Sequence, residues 1–371
     1  MKSIIYVGMD VHTTNYTLSC YTIENGANFA TVQVEPDCKN ILNYLKKIQE
    51  NYGGPCEFLC GYEAGCLGFT LYEQLKRHNI PCVILAPTSM PVYRKTEIKT
   101  DKRDAMKIAQ CLAYNNYSAV HIPTKKDSDV KEYIRMRDAH KLALKKVKQQ
   151  ILAFCLRYGY MFTEGKNYWT VKHMKWLRAL KPEGLLSEVL DEYLATYAQE
   201  SDKIERFDKR IAELATDDCY APKVHMLTCM IGIRTHTALS LIVETGDFRR
   251  FQKAEQYAAF LGLVPGEHSS SDNQNRLGIT KAGNSHLRRL LTESAQCYGR
   301  GRIGYKSKAL KERQYGNPAE VIAYADKANE RMKRKFYHMV LKLHKKHNVA
   351  VTAVARELAC FVWGMMTGHV S

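Results

Sequence analysis

Four acidic residues occupy positions from which carboxylates could converge on a metal ion. Asp10 follows a short apolar run in GMDVH, and Glu63 follows another in GYEAG. Asp101 and Asp104 lie three residues apart in KTDKRDA, a spacing that places both carboxylates on one face of a helix. Converging carboxylates repel one another unless cations lie between them, and Mg²⁺ prefers such oxygen ligands. One or two Mg²⁺ ions there could stabilise the attacking and leaving oxygens of a phosphoryl transfer.

Each acid taken alone also has an ordinary structural explanation. Asp10 could cap a turn, Glu63 could pair with a lysine, and Asp101 could be the N-cap of its helix. A metal site is therefore indicated by the occurrence of all four acids in this order on neighbouring strands and helices, and not by any one acid alone.

A polar stretch in the second half of the chain contains three adjacent hydroxyls. Residues 266–285 are GEHSSSDNQNRLGITKAGNS, with Ser269, Ser270 and Ser271 near the start. Segments rich in Ser, Asn and Gly are usually connecting loops. A serine hydroxyl is also a weak nucleophile that a base or a metal can activate. From the residues alone, an inert loop and a loop that carries a nucleophile both remain open.

The elements predicted around the acids give them a common edge. Apolar and alternating runs predict strands at 3–9, 16–23, 29–34, 57–62 and 81–85. Helical spacing predicts helices after Asp37, at 68–78 and at 101–113. The order β-β-β-α-β-α-β-α indicates a mixed sheet with helices on its faces. If the first and fourth strands are neighbours, Asp10 and Glu63 lie side by side at the carboxyl edge of a ribonuclease-H-like α/β domain.

The rest of the chain is predicted to be mainly helical. Helical patterns without regular heptads at 129–157 and 188–214 predict a helical, coiled-coil-like linker at 126–220. We therefore expect an α/β domain at 1–125 and, after Ala221-Pro222, a mainly α domain at 221–371. Arg356 and Glu357 interrupt the apolar tail, which favours a core or oligomer-interface helix over a membrane span.

The charge distribution favours a polyanionic partner. The 371 residues include 55 Lys and Arg against 38 Asp and Glu, a net charge of +17. Residues 276–346 contain 18 basic and 5 acidic side chains, and residues 125–148 contain 9 and 4. Charge runs often form solvated surfaces, but two concentrated zones in helical patterns favour nucleic acid.

Cysteine usage and hydropathy indicate the compartment. The 12 cysteines include no C-x-x-C pair, so they match neither a zinc signature nor a disulfide framework. The sequence contains no signal-peptide pattern and no apolar span of 18 residues. We expect a cytoplasmic bacterial protein with reduced thiols and no membrane partner.

The sequence resembles the DEDD-type transposases of bacterial insertion sequences, the group described as bridge-RNA-guided recombinases. The N-terminal half matches in GMDVH, GYEAG and KTDKRDA. The C-terminal half matches in QYAAFLGLVPGEHSSS and RLGITKAGNSHLRRLL. Order and spacing agree across nearly the whole chain, while the helical middle is similar only in character. The presence of both blocks in one chain makes the resemblance specific.

The resemblance implies a two-part enzyme. A RuvC-like domain would hold Mg²⁺ through the four acids, and a C-terminal transposase domain would carry a nucleophilic serine. That serine is the fifth residue after the proline of GL-x-P, here Pro265, which indicates Ser270 and leaves the adjacent Ser269 and Ser271 as alternatives. The implied reaction cuts and rejoins DNA through a covalent phosphoserine–DNA intermediate, with the carboxylate-bound Mg²⁺ activating the scissile phosphate.

The resemblance also implies the partners. A structured bridge RNA encoded by the element would select donor and target DNA by base pairing. A tetramer, built as a dimer of dimers, would offer each serine to the acids of a neighbouring subunit. After the serines, Lys281, Arg288 and Arg289 are candidate phosphate clamps, with a solvated helix face as an equal alternative for each.

The chain departs from the family pattern in two places. A glycine often follows the serines, whereas Asp272 and Asn273 follow Ser271 here. A turn that is usually G-I-G is Gly232-Ile233-Arg234, which weakens any assignment of its backbone amides to a phosphate.

Two other functions are compatible with the residues. A related DNA invertase or a RuvC-like junction nuclease would use only the four acids, with water as the nucleophile. A basic DNA- or RNA-binding protein with a decayed site would use neither the acids nor the serines. The intact acids and serines favour the Mg²⁺-dependent, RNA-guided recombinase.

Overall fold

The computed structural model describes residues 2–65, 67–87, 90, 100–267 and 276–370. The chain divides into two units, Met1–Ile122 and Pro123–Ser371. The helical segment predicted as a linker at 126–220 falls inside the second unit. Its standing as a separate domain stays a prediction.

The first unit is a five-stranded mixed sheet with helices on both faces. Its strands are β1 (Ser3–Val11), β2 (Tyr16–Thr22), β3 (Ala27–Val34), β4 (Cys56–Glu63) and β5 (Cys82–Leu85). Its helices are α1 (Cys38–Asn51), α2 (Thr70–Arg77) and α3 (Asp101–Ala113). The strand order is β3-β2-β1-β4-β5, antiparallel from β3 to β1 and parallel from β1 to β5. The predicted order of elements and the mixed sheet are confirmed.

Alternation along β1 separates the two faces of the sheet. Ile5, Val7 and Met9 are buried in one apolar cluster with residues of α1 and α2. Tyr6 packs against the cluster on the other face, which contains buried residues of α3. Because successive strand residues point to opposite faces, Gly8 and Asp10 lie on the same face as Tyr6.

Helix α3 lies directly on β1 because Gly8 has no side chain. A Cβ atom at Gly8 would lie 2.0 Å from the carbonyl oxygen of Ala105 and 2.3 Å from the nitrogen of Ala109. Asp101 lies one helical turn before Ala105, on the same face of α3. The close approach therefore brings the first turn of α3 to the end of β1 that carries Asp10.

The second unit is mainly helical. Its helices are α4 (Lys125–Arg157), α5 (Val171–Ala179), α6 (Leu185–Leu214), α7 (Ala221–Leu227), α8 (Thr235–Thr245), α9 (Ala254–Phe260), α10 (Ser285–Ala295), α11 (Lys308–Gln314), α12 (Ala319–Tyr337) and α13 (His347–Thr367). One large apolar cluster contains residues of α7, α8, α9, α10, α12 and α13. A smaller cluster contains residues of α5, of the C-terminal half of α4 and of the N-terminal half of α6.

Helix α13 is long and apolar enough to cross a membrane, the one such helix in the part of the chain that the structure describes. Its Val354, Ala355 and Leu358 are fully buried in the large cluster, and 56% of its most apolar window is buried. This is the environment of a core helix.

Two short features of the second unit differ from the sequence expectation. Residues 171–179, inside the predicted linker, form α5. The flanks of the serine segment, predicted as part of a polar loop, form a two-stranded antiparallel ribbon of β6 (Pro265–Glu267) and β7 (Arg276–Ile279). Both strands lie in a stretch rich in Gly, Ser and Asn, which is typical of a loop and conceals them in the sequence.

Candidate metal centre and serine segment

The carboxyl ends of β1 and β4 place Asp10 and Glu63 at one edge of the sheet. The two strands pair in parallel up to Met9 and Tyr62, and Asp10 and Glu63 are the next residues along them. Residues at matching positions on neighbouring strands share a face, so both acids lie on the face that α3 covers.

Asp101 approaches Asp10 from the first turn of α3. Thr100 is the N-cap of this helix, because its hydroxyl accepts a hydrogen bond from the amide of Arg103. A carboxylate oxygen of Asp10, one of Asp101 and a ring nitrogen of His12 all lie within 4.8 Å of one another. His12 Nε2 lies 3.2 Å from Asp10 Oδ2 and 4.0 Å from Asp101 Oδ1.

The electrostatics of Asp10 favour a bound cation. Burial raises the pKa of its carboxyl, His12 lowers that pKa through charge and a hydrogen bond, and the charges of Asp101 and Asp104 raise it again. The net effect is a pKa above the ordinary value of 3.8. A carboxylate disfavoured by burial and by neighbouring carboxylates gains stabilisation when a cation binds beside it.

The donor set fits a divalent cation. The carboxylates suit Mg²⁺, Ca²⁺ or Mn²⁺, and the imidazole adds a ligand type that transition metals prefer. The side chain of Asp10 is 17% exposed, whereas those of Asp101 and His12 are 46% and 51% exposed, so the group is accessible from solvent. Glu63 and Asp104 lie outside the group of three; the strand register places Glu63 beside Asp10, and the charge of Asp104 raises the pKa of Asp10.

His12 is the member of this group that the sequence interpretation missed. The sequence signal for His12 is its position in GMDVH, two residues after Asp10. Alternate residues of an extended chain lie on the same side, so this spacing places His12 on the side of Asp10. Asp101 and Asp104 also have a structural reason for their positions, because acids in the first turn of a helix stabilise it. The N-cap role considered for Asp101 belongs to Thr100.

Ser269, Ser270 and Ser271 lie outside the described residues, within the gap at 268–275. The described chain on either side of them is firmly held. Backbone hydrogen bonds run from Thr280 N to Val264 O at 2.9 Å and from Asn284 N to Phe260 O at 2.9 Å. Gly283 has a φ of +116°, and a Cβ atom there would lie 2.1 Å from the carbonyl oxygen of Phe260. The base of the ribbon is therefore fixed to the end of α9.

A buried carboxylate fixes the start of α10, which follows this ribbon. The side chain of Glu244 is 3% exposed and accepts hydrogen bonds from Arg135 Nε at 2.7 Å, Arg135 Nη2 at 2.9 Å and Asn284 Nδ2 at 2.9 Å. Asn284 is also the N-cap of α10, because its Oδ1 accepts from the amide of Leu287. Glu244 thus connects α4, α8 and the first turn of α10.

The three predicted phosphate clamps have different surroundings. Lys281 is exposed and has a φ of +56°. Arg288 is half-buried and donates from Nη1 to the carbonyl of Leu261 at 2.9 Å. Arg289 forms ion pairs with Asp138 and Glu293. Both arginines therefore have partners inside the protein, and a phosphate role for any of the three stays a prediction.

Two family models match the sequence. The transposase model DEDD_Tnp_IS110 matches residues 7–159, which include all four predicted acids. A model described as the transposase IS116/IS110/IS902 family matches residues 224–310, which include the serine segment.

Curated transposases are similar to this chain over most of their length. The transposase for insertion sequence element IS1533 of Leptospira borgpetersenii is 31% identical over 348 residues, which are 93% of this chain and 99% of that protein. The putative transposase y4qE of Sinorhizobium fredii is 31% identical over 364 residues, 97% of this chain and 88% of its own. The transposase for IS1111A of Coxiella burnetii is 27% identical over 268 residues, 69% and 71% of the two chains. This chain therefore belongs to the IS116/IS110/IS902 family of insertion-sequence transposases.

Proposed function

We propose that this transposase is an RNA-guided, Mg²⁺-dependent DNA recombinase that works through a covalent phosphoserine intermediate. The observation that carries the proposal is the group of Asp10, His12 and Asp101 at the sheet edge, in a chain that also keeps the serine segment after Pro265. Membership of a DEDD transposase family supports the assignment of these acids to chemistry on DNA.

The first unit is, in this proposal, a ribonuclease-H-like domain of the RuvC type. Support comes from its strand order, with three antiparallel strands followed by two parallel ones, and from helices on both faces. The division into a RuvC-like domain at 1–125, a helical linker at 126–220 and a transposase domain at 221–371 belongs to the same proposal.

Asp10, Glu63, Asp101 and Asp104 would hold one or two Mg²⁺ ions. The bound metal would stabilise the negative charge that develops on a scissile phosphate. The protein itself contributes rigid placement: Gly8 lets α3 lie on β1, and Thr100 fixes the first turn from which Asp101 and Asp104 project. His12, whose Nε2 lies between the two carboxylates, is a candidate to orient them.

Ser270 would be the nucleophile. Its oxygen would form a bond to the phosphorus as the bond to one DNA oxygen breaks, and the hydroxyl proton would pass to a base or to water. The released DNA hydroxyl, or that of another strand, would later attack the phosphoserine and restore the phosphodiester. The energy of the original bond is kept in the ester, so rejoining needs no external energy source.

The proposed partners follow from the family resemblance and from the charge. Donor and target DNA and a structured bridge RNA would account for the basic zones of a chain with net charge +17. A tetramer would pair the serine of one subunit with the acids of another. The exposed Lys281 would contact a phosphate directly. Arg288 and Arg289 would first have to release their present partners inside the protein.

The experiment that tests the proposal traps the intermediate. Purified protein is incubated with Mg²⁺, RNA transcribed from the noncoding sequence beside the gene, and a nicked suicide DNA substrate. A covalent protein–DNA adduct should form, and peptide mapping should place the nucleotide on Ser270. Ser270→Ala should abolish the adduct, while Ser269→Ala and Ser271→Ala should retain it. Cleavage without any adduct would instead indicate a hydrolytic nuclease that uses water and the four acids.

A further inference from the structure

A loop between α10 and α11 presents cations and an aromatic ring to solvent. Residues 300–305, with the sequence RGRIGY, are all exposed, and Tyr305 is 65% exposed. No acidic residue occurs between Glu293 and Glu312, a stretch that contains five basic residues. The ring of Tyr305 contacts no other aromatic ring in the described parts of the chain.

The backbone of the 300–305 loop is held in place by α12. The buried Lys333 donates from Nζ to the carbonyl of Arg302 at 3.0 Å, and Tyr337 donates from its hydroxyl to the carbonyl of Gly301 at 2.9 Å. Gly301 and Gly304 have φ values of +74° and +77°, which let the chain reverse twice within a few residues. Because these contacts use the backbone, the Arg and Tyr side chains remain available for a ligand.

A second exposed basic segment lies close to the same loop. Residues 341–347 are all exposed and include Lys342, Lys345 and Lys346. The ring of Phe336, next to Tyr337, packs against His347 with ring centroids 5.3 Å apart, and it also lies against the glycine that precedes the loop. The buried Phe336 therefore connects the start of the 300–305 loop to the end of the 342–346 segment.

The cations of these two segments have no acidic partners within the part of the chain that the structure describes. Among the residues that the structure describes, Arg300, Arg302, Lys342, Lys345 and Lys346 form no ion pair. Other basic residues nearby are already neutralised, as in the pairs of Lys306 with Asp326 and of Arg331 with Glu357. Uncompensated cations grouped on one surface attract a polyanion.

We propose that the 300–305 loop and the 342–346 segment bind a single-stranded stretch of nucleic acid. The five cations contact successive phosphates, and Tyr305 stacks on an unpaired base. A duplex keeps its bases stacked inside, so only a loop of an RNA or an unpaired DNA strand offers that base. The inference rests on the proposed function only for the class of partner, and it requires neither Ser270 nor a bound metal.

Stacking is tested by fluorescence anisotropy with full-length protein that carries Asp10→Asn, in EDTA, so that no cleavage occurs. The probes are a stem-loop RNA, a single-stranded DNA with the loop sequence and a duplex DNA of equal length. Tyr305→Ala should weaken binding of the two single-stranded probes by about 5- to 150-fold, the range expected for loss of one base–aromatic stack. Tyr305→Phe should bind as the parent does, and duplex binding should not change. The stronger of the two single-stranded probes identifies the strand that uses the surface.

The cations are tested by the salt dependence of the same binding. Arg300→Gln with Arg302→Gln should flatten the plot of log affinity against log salt by about 1.4, since each single-strand phosphate contact contributes about 0.7. Lys39→Gln with Lys47→Gln removes the same charge from exposed positions on α1 and should leave the slope unchanged.

Three outcomes would overturn the inference. Tyr305→Ala could bind the single-stranded probes as tightly as Tyr305→Phe does, or the Lys39 and Lys47 control could flatten the slope as much as the loop variant. Vesicles of anionic phospholipid could also bind this surface in preference to all three probes, which would make it a membrane-binding surface. Because all binding is measured with the Asp10→Asn protein, none of these outcomes bears on the covalent-adduct test, and failure of that test leaves the binding result intact.

Discussion

Asp138 illustrates how a single buried charge is stabilised in the second unit. Its side chain is 8% exposed and lies 3.0 Å from Arg137 Nη1, 3.1 Å from His236 Nε2 and 3.8 Å from His286 Nε2, with Arg289 also paired to it. Burial alone would raise the pKa of this carboxyl, but the nearby His236, the hydrogen bond from Arg137 and the charge of Arg289 hold the pKa well below its ordinary value.

Replacement of Asp138 should therefore destabilise the protein at neutral pH. Asp138→Ala leaves Arg137 with Asp208 as its remaining partner, so the cost should be about 1.5–3 kcal/mol, the contribution of a hydrogen bond to a charged group, and not that of a fully unpaired buried charge. Urea unfolding at pH 7 measures the difference, with Asp202→Ala at an exposed position of α6 as the control. A change within about 0.5 kcal/mol, as is usual for surface substitutions, would contradict the assignment.

The lowered pKa of Asp138 also predicts a pH dependence. A carboxyl whose pKa is lower in the folded state stabilises the fold above the pKa of the unfolded chain, and this contribution is lost as the pH falls through the folded-state value. The difference in unfolding free energy between wild type and Asp138→Asn should thus be largest near neutral pH and shrink below about pH 4. A difference that grew on acidification would show that burial, and not pairing, controls this carboxyl.

At the level of residues, the sequence identifies chemistry better than geometry. Asp10 and Glu63 could be predicted to lie together because each follows an apolar strand, and the strand register places them side by side. His12 could not be predicted, because its approach to Asp101 depends on how the chain turns after β1. The contacts of Arg288 with Leu261 and of Arg289 with Asp138 could not be predicted either, because these partners lie far away in the sequence.

At the level of elements, the approach of α3 to β1 controls the metal centre. In Gly8→Ala, the added Cβ would lie 2.0 Å from a backbone oxygen of α3, so the helix must move. Overpacking of this kind costs about 1–3 kcal/mol or more, and it should also weaken Mg²⁺ or Mn²⁺ binding although every acid is retained. The weaker metal binding is measured as a smaller rise in the melting temperature when Mg²⁺ or Mn²⁺ is added. Gly54→Ala, with open space around its Cβ, is the matched control and should retain the full gain.

The ribbon that flanks the serines provides a second test at this scale. In Gly283→Ala, the new Cβ would lie 2.1 Å from the carbonyl oxygen of Phe260, and the φ of +116° would become strained. The variant should form less covalent adduct although its acids and serines are unchanged. Gly278→Ala, in β7 with no atom within 4 Å of its Cβ, should form as much adduct as wild type. Equal yields from both variants would show that the base of the ribbon does not position the serine.

Most elements of the first unit could be predicted because their patterns are long enough to detect. The five strands and three helices of that unit agree with the predicted order, since the strands contain apolar or alternating runs and the helices have apolar residues at helical spacing. Helix α5 was not predicted, and strands β6 and β7 were not predicted because they lie in a Gly-, Ser- and Asn-rich stretch that is typical of a loop. The closeness of α3 to β1 depends on Gly8, whose importance is visible only once both elements are in place.

At the level of the whole molecule, composition indicates a polyanionic partner but does not locate it. Many cations of residues 276–346 are paired internally, including Arg289, Arg331 and Lys335. Those of the 300–305 loop and the 342–346 segment form no ion pair within the described chain. The count of 18 basic side chains in residues 276–346 therefore overstates the number of cations that a nucleic acid can contact.

The central claim is that the acids of the first unit and Ser270 of the second serve one reaction. The most direct test measures covalent adduct formation by Asp10→Asn, by Ser270→Ala and by a mixture of the two, with Mg²⁺, the flanking RNA and suicide DNA. Each variant alone should form no adduct, and the mixture should recover it if one subunit offers its serine to the acids of another. Adduct formation by Ser270→Ala alone, or at the wild-type level by Asp10→Asn alone, would contradict the account.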